Sequence, residues 1–283
     1  MHSEFMLRWQ RWFCPSKVVP EGFNPLLFLK KAAFAATLCL SLGQVCEASP
    51  WPREQGGVFV ESRTDFFRSD NGTDVFERID TSLYGEWGIL PDTMLGGKIV
   101  YGSSQSQSPG FAFSADGIVE AEGFVQTTLT EANWGITSLR FAASRPSGLT
   151  GGARPGLQAD GIDFDVRSLV GIPIFNAERI NGFAALESAY RFRTGAAADQ
   201  VRLDATFGIN YDQKLLALVE VQNTLSVRNE TPGGADFDIV KIQPSLVWRF
   251  SPSLSVRAGG LFEIAGRNLS LGRGAFIALW TEF

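Results

Sequence analysis

Charged side chains two residues apart recur along this chain, as in Arg78 and Asp80, Glu120 and Glu122, Asp163, Asp165 and Arg167, Arg191 and Arg193, and Arg202 and Asp204. On an extended strand that spacing puts them on one face, about 7 Å apart. Such a face suits three chemistries: proton transfer between carboxylates, an acidic ligand set for a cation, or a mixed-charge wall that meets a polar solute. The first is weak, because any strand gives Glu120 and Glu122 this spacing. Nucleophilic hydrolysis needs a base beside its Ser, most often His, and the only histidine is His2. The same shortage removes a zinc–His design. Asp160, Asp163 and Asp165 lack the full spacing of a calcium loop. The expectation is therefore no enzyme, no metal and no cofactor. The mixed-charge wall remains.

The elements that would carry these residues are strands. From about residue 57 onward apolar and polar residues alternate with period two, not 3.6. Val75, Ile79, Thr81, Leu83 and Trp87 share one face, and Phe76, Arg78, Asp80, Ser82, Tyr84 and Glu86 share the other. Gly117, Val119, Ala121, Val125 and Leu129 alternate with Ile118, Glu120, Glu122, Phe124 and Gln126. Similar runs follow at Ile162 to Ile172, Val201 to Asn210 and Val240 to Phe250. Short connectors such as Leu90-Pro91-Asp92, Glu131-Ala132-Asn133 and Asp212-Gln213-Lys214 separate the runs. They take turns with longer Gly/Ser/Pro-rich ones: Ser69 to Thr73, Ser103 to Gly110, Arg145 to Asp160, Thr194 to Asp199, Asn229 to Asp236 and Ala265 to Arg273. The runs number 12, at about 57–68, 74–88, 93–102, 114–129, 134–144, 161–174, 181–193, 200–211, 214–228, 237–250, 253–264 and 274–283.

The first 48 residues are of another kind. Lys30 and Lys31 precede an uncharged run from Ala32 to Leu42, and Ala48 is a cleavage point before Ser49. Eleven residues suit the core of a signal peptide and are too few to span a bilayer. The n-region is roughly 30 residues, far more than a signal peptide requires, which points to a start codon further downstream. Gly43-Gln44-Val45-Cys46 also reads as a lipoprotein box, although Gln44 and Val45 fit poorly before a lipidated Cys. Removing residues 1–48 takes away all three Cys and His2. It also takes five of the 25 basic and three of the 30 acidic residues, leaving 20 and 27, net −7. A Cys-free exported chain suits an oxidising compartment. The net charge of −5 on the whole chain argues against nucleic acid as a partner.

Even strand number, alternation, and short turns opposite long loops are the layout of an up-and-down transmembrane antiparallel β-barrel with both termini at one end. Residues 49–283 would form this single domain. Aromatic residues fall into two belts. Trp87, Trp134, Phe175, Trp248, Phe250 and Phe283 lie towards the periplasmic rim; Phe66, Tyr101, Phe164, Tyr190, Phe192, Phe237 and Phe276 lie towards the external rim. A secreted β-sandwich also alternates. A lipid-facing wall must be nearly free of charge, since a basic residue at mid-bilayer costs about 2–4 kcal/mol. The outward faces meet that demand, with Glu77 and Asp238 as exceptions at strand ends. The last strand places Ala275, Ile277, Leu279, Thr281 and Phe283 on one face and ends the chain on Phe283. This resembles the C-terminal signal of bacterial outer-membrane β-barrel proteins, with Thr281 where an aromatic is usual. The resemblance implies a Gram-negative outer membrane, lipid around the barrel, and assembly by the barrel-assembly machinery through Leu279, Thr281 and Phe283.

The inward faces carry 11 basic and 12 acidic residues. They read either as an ion-pair network that fills and stiffens the interior or as a wet passage whose charges set selectivity. Arg191, Arg193 and Arg202 could meet anionic solutes near the external end, or pair with Asp163 and Asp165. Twelve strands stand between the filled interior of about 8 and the open channel of about 16 to 18. The function expected is passive or weakly selective passage of small polar solutes, lined by Arg78, Glu86, Glu120, Glu122, Arg140, Arg167, Arg191 and Arg202. The alternative is a closed structural or surface-interaction barrel of the envelope. Arg145 to Asp160 is the connector expected to move most.

Overall fold

The computed structural model describes residues 49–146 and 161–283. The expected signal segment and most of the Arg145–Asp160 connector lie outside these residues. Twelve strands run through the described residues: β1 (Val58–Asp70), β2 (Val75–Leu90), β3 (Thr93–Ser108), β4 (Phe111–Ala132), β5 (Gly135–Pro146) and β6 (Asp163–Asn176), followed by β7 (Ile180–Arg193), β8 (Gln200–Tyr211), β9 (Leu215–Ser226), β10 (Asp238–Ser251), β11 (Leu254–Arg267) and β12 (Gly272–Glu282). Each pairs antiparallel with its sequence neighbours, and β12 pairs with β1 to close a barrel. Closure removes the sandwich alternative. The seam is finished by Val58 and Phe283, whose backbone groups exchange hydrogen bonds of 2.9 and 3.0 Å.

Tight turns at the terminal end fix strand register. Between β8 and β9, Asp212 and Gln213 both take positive φ, and Lys214 N donates to Tyr211 O at 3.1 Å. That is a type I′ hairpin, whose twist matches the strands it joins. Arg179, in the neighbouring turn, reaches Asp212 at 2.8 Å and holds its carboxyl below the usual aspartate range.

The outward face is apolar over most of its height. Trp87, Trp134, Phe175, Trp248, Phe250 and Phe283 are exposed towards the terminal end, and Phe66, Tyr101, Phe164, Tyr190 and Phe192 towards the loop end. Phe237 and Phe276 depart from the expected belt. Phe276 is buried inside the barrel, and Phe237 lines its cavity. The outward charges at the loop end are paired: Arg68 meets Glu77 at 2.6 Å, and Arg267 meets Asp238 at 2.7 Å and Asp236 at 2.6 Å.

Two further expectations fail for physical reasons. Ser103–Gly110 is not a long connector. Its Ser/Gln residues continue β3 to Ser108 in register with β2 and β4, leaving Pro109 and Gly110 as the turn. A strand that rises above the bilayer into water needs no apolar face, so composition there imitates a loop. The alternation of β4 also breaks. Val100 pairs with Glu120 but Tyr101 with Ile118, so Val119 is an extra residue. This β-bulge inverts the phase. Ile118 points outward, whereas Glu120, Glu122, Phe124 and Gln126 keep the inward face.

Candidate functional site

The lumen has two unlike halves. Towards the terminal end, Phe59, Tyr84, Met94, Phe124, Phe183, Leu216, Leu218, Val247 and Trp280 pack into a buried apolar cluster. Rings meet edge-on or stacked, with Phe59 and Trp280 at 6.0 Å and Tyr84 and Phe124 at 5.9 Å. Beside this cluster, long polar side chains reach past neighbouring strands. Arg257 on β11 pairs with Glu220 on β9 and donates to Ser245 Oγ at 3.0 Å. Arg63 on β1 donates to Gln243 Oε1 on β10 at 2.9 Å. Trp280 Nε1 donates to Glu61. These bonds fill one side of the interior.

A strap across the terminal mouth had no counterpart in the sequence reading. Before β1 the chain makes a turn in which Gly57 N donates to Glu54 O at 2.8 Å. Gly56 sits at φ 87°, as the third position of a type II turn requires. Residues 49–54 then cross the barrel interior. Gln126 Nε2 donates to Ser49 O at 2.8 Å, and Ser138 Oγ donates to Pro50 O at 2.6 Å. Trp51 packs edge-on against Phe183 at 5.4 Å. Arg53 donates to Glu86 at 2.6 Å, lies 4.5 Å from the Phe59 ring centre and comes within 3.8 Å of Glu282. Gly171 on β6 makes the room: a Cβ there would stand 2.7 Å from both Pro50 and Trp51. A Trp between two prolines ahead of the first strand was the one hint of this segment.

Towards the loop end lies a cavity of about 280 Å³, lined by side chains from β2 to β10. Six of the eight expected lining residues meet there: Glu120, Glu122, Arg140, Arg167, Arg191 and Arg202. Arg140 forms its floor, donating to Gln126 Oε1 at 2.9 Å while lying 4.1 Å from the Phe124 ring centre. Glu86 is absent from the cavity wall. It is buried below, bound by Arg53 and by the Tyr84 hydroxyl at 2.5 Å. Arg78 faces inward but stands apart, paired with Asp80 at 2.7 Å. Lys98, Asp165, Glu187, Asp204, Glu220 and Lys241 complete the charged wall. Of the three arginines expected to meet anions, Arg193 lies outside the cavity wall and stands 3.2 Å from Asp163 as an ion pair.

The connectors beside the mouth of this vestibule are clasped together. Thr231 N donates to Ala196 O at 3.0 Å, and Ala198 N to Ala235 O at 2.9 Å. Burial alone would raise the Asp199 carboxyl, but donation by Arg193 N, Asn229 Nδ2 and the Tyr190 hydroxyl outweighs it and holds the group low. Asp236 is held at about 2 by its hydrogen bonds from Arg267. Both carboxylates are thus charged throughout the neutral range.

A closed 12-stranded wall, apolar outside and charged within, decides the comparison. The fold is that of a bacterial outer-membrane β-barrel. An outer membrane channel from Pseudomonas putida superposes with a TM-score of 0.59 at 13% identity, covering 85% of this chain and 100% of that one. The transport unit of the autotransporter AIDA-I from Escherichia coli gives 0.54 at 12% identity, covering 93% and 100%. The NanC porin gives 0.50 at 6% identity, covering 78% and 98%. No protein-family model and no curated protein matches the chain.

Proposed function

We propose that this protein lies in the outer membrane of a Gram-negative bacterium and passes small polar solutes, and that it rests closed. The observation that carries this reading is the strap: Arg53 sits on Glu86 directly beneath a charge-lined vestibule. A structural filler would need no wet, charge-balanced chamber above it. The strap is held by one close ion pair, two backbone acceptors and one ring contact. The neutral contacts are individually worth about 1 kcal/mol and can be exchanged for water, whereas the buried Arg53–Glu86 pair parts only as water reaches Glu86 in place of the strap. In this reading the solute enters from outside, is sorted by the vestibule and leaves when the strap swings towards the periplasm.

The strap and apolar cluster also favour a second reading, the permanently closed envelope barrel. Single-channel recordings of the barrel with and without residues 49–54 separate the two. Passage predicts that removal of the strap raises mean conductance several-fold. A folded barrel that stays silent without its strap would establish the closed reading instead.

We further propose that β12 is the segment read by the barrel-assembly machinery, through the exposed Leu279 and Phe283 and their neighbour Thr281. Phe283→Ser should then reduce the amount of folded barrel in cell envelopes at least several-fold while leaving refolding in detergent intact. Equal amounts in cells would contradict this role.

A further inference from the structure

The charges of the vestibule are balanced in number but not in satisfaction. Six cations and six acids line it. Arg167 is fully engaged, with Glu187 at 2.6 Å and Asp165 and Asp204 each at 3.4 Å. Arg191 and Arg202 are not. Arg191 stands 3.9 Å from Glu122 and 3.6 Å from Asp165, and Arg202 stands 3.7 Å from Asp204, all beyond hydrogen-bond reach. The Nε of each is buried without an acceptor. A buried guanidinium donor left without a partner is costly, which marks both as groups awaiting one. Arg191 pairs in register with Gln200 and Arg202 with Ala189, so the two arginines are diagonal neighbours on one face of β7 and β8. Their planar forks suit a carboxylate.

The acid that completes the pattern comes from β4. Glu120 lines the same cavity and has no hydrogen bond or ion pair among the described residues. Glu122 is shared, standing beside Lys98 in cross-strand register and facing Arg191. We propose that the vestibule binds a small zwitterion, its carboxylate on Arg191 and Arg202 and its ammonium on Glu120. A plain anion would satisfy the arginines but add net charge to a neutral chamber and leave Glu120 unmet; a plain cation would do the reverse. The volume of about 280 Å³ lies at the small end of ligand pockets, which suits an amino-acid-sized molecule rather than an oligomer.

This names the solute class for the proposed passage and rests on the vestibule being its solute-facing part. The test is calorimetric titration of the folded barrel, purified from outer membranes, with glycine, γ-aminobutyrate and ε-aminocaproate. Butyrate and butylammonium serve as single-charge controls. At least one zwitterion should bind about tenfold or more tightly than either control. Arg202→Gln should reduce its binding to that of butylammonium and Glu120→Gln to that of butyrate, both variants keeping the heat-dependent gel mobility of the folded barrel. Arg191→Gln takes the place of Arg202→Gln if the latter does not fold. Butyrate binding as tightly as every zwitterion, or no binding of any zwitterion, would overturn the inference. Zwitterion binding by a barrel that stays silent without its strap would sustain this site and sink the passage. Steady conduction with no zwitterion preference would do the opposite.

Discussion

Arg257 shows what a lumen charge does when nothing is meant to pass it. Its side chain is fully buried, tied to Glu220 and Ser245, and faces the rings of Phe276 and Trp280 at 5.0 and 5.6 Å. Arg257→Ala would strand Glu220 in the interior. Removing one partner of a buried pair costs roughly 3–5 kcal/mol. The barrel should unfold at clearly lower urea concentration, read from loss of its compact gel form. A loss of about 1 kcal/mol or less would mean that water reaches this side of the lumen. Arg191 and Arg202 are the contrast, since their loose contacts leave donors over. Sequence distinguishes neither case. Alternation tells which face Arg257, Glu86 and Arg202 occupy, but not how high each sits or which strand across the lumen it meets. Glu86 therefore read as a lining residue, whereas it anchors the strap.

The elements were more legible than their contents. The connectors expected from turn chemistry fall between strands of the barrel, with Ser103–Gly110 reduced to its last two residues, because Gly, Pro, Asn and Asp mark places where a ladder must end. Ser103–Gly110 departs from the expectation because a strand above the bilayer is free to be polar. The bulge at Val119 was equally invisible, since an extra residue leaves no mark on composition. Residues 49–54 form no regular element, so periodicity could not reveal them. Their docking depends on Gly171. Gly171→Ala should expel Pro50 and Trp51 while keeping the ladder, because its Cβ would stand 2.7 Å from each. The expected result is conductance equal to that of the strap deletion in a barrel of unchanged gel mobility. Conductance equal to the unaltered barrel would show that the strap yields by a small shift and that the notch is not what seats it.

At the scale of the whole molecule, twelve strands stand between the roughly 8 whose interior side chains fill and the about 16 to 18 that leave an open channel. This chain resolves that intermediate size by zoning. Aromatic and aliphatic side chains with the strap fill the terminal half, and balanced charges line the cavity of the other half. The outer wall follows from the solvent: every backbone group must be paired within the bilayer, and a closed sheet is the way strands achieve it. That much was readable from alternation and strand parity. The zoning was not, because inward Phe and inward Arg obey the same period of two.

The central claim is that the strap closes an otherwise passable barrel. It is tested most directly by planar-bilayer recording of two folded barrels, residues 49–283 and 55–283, under identical salt and voltage. The account predicts a mostly silent intact barrel with rare openings, and steady openings with several-fold higher mean conductance once residues 49–54 are gone. Identical traces from the two would contradict it.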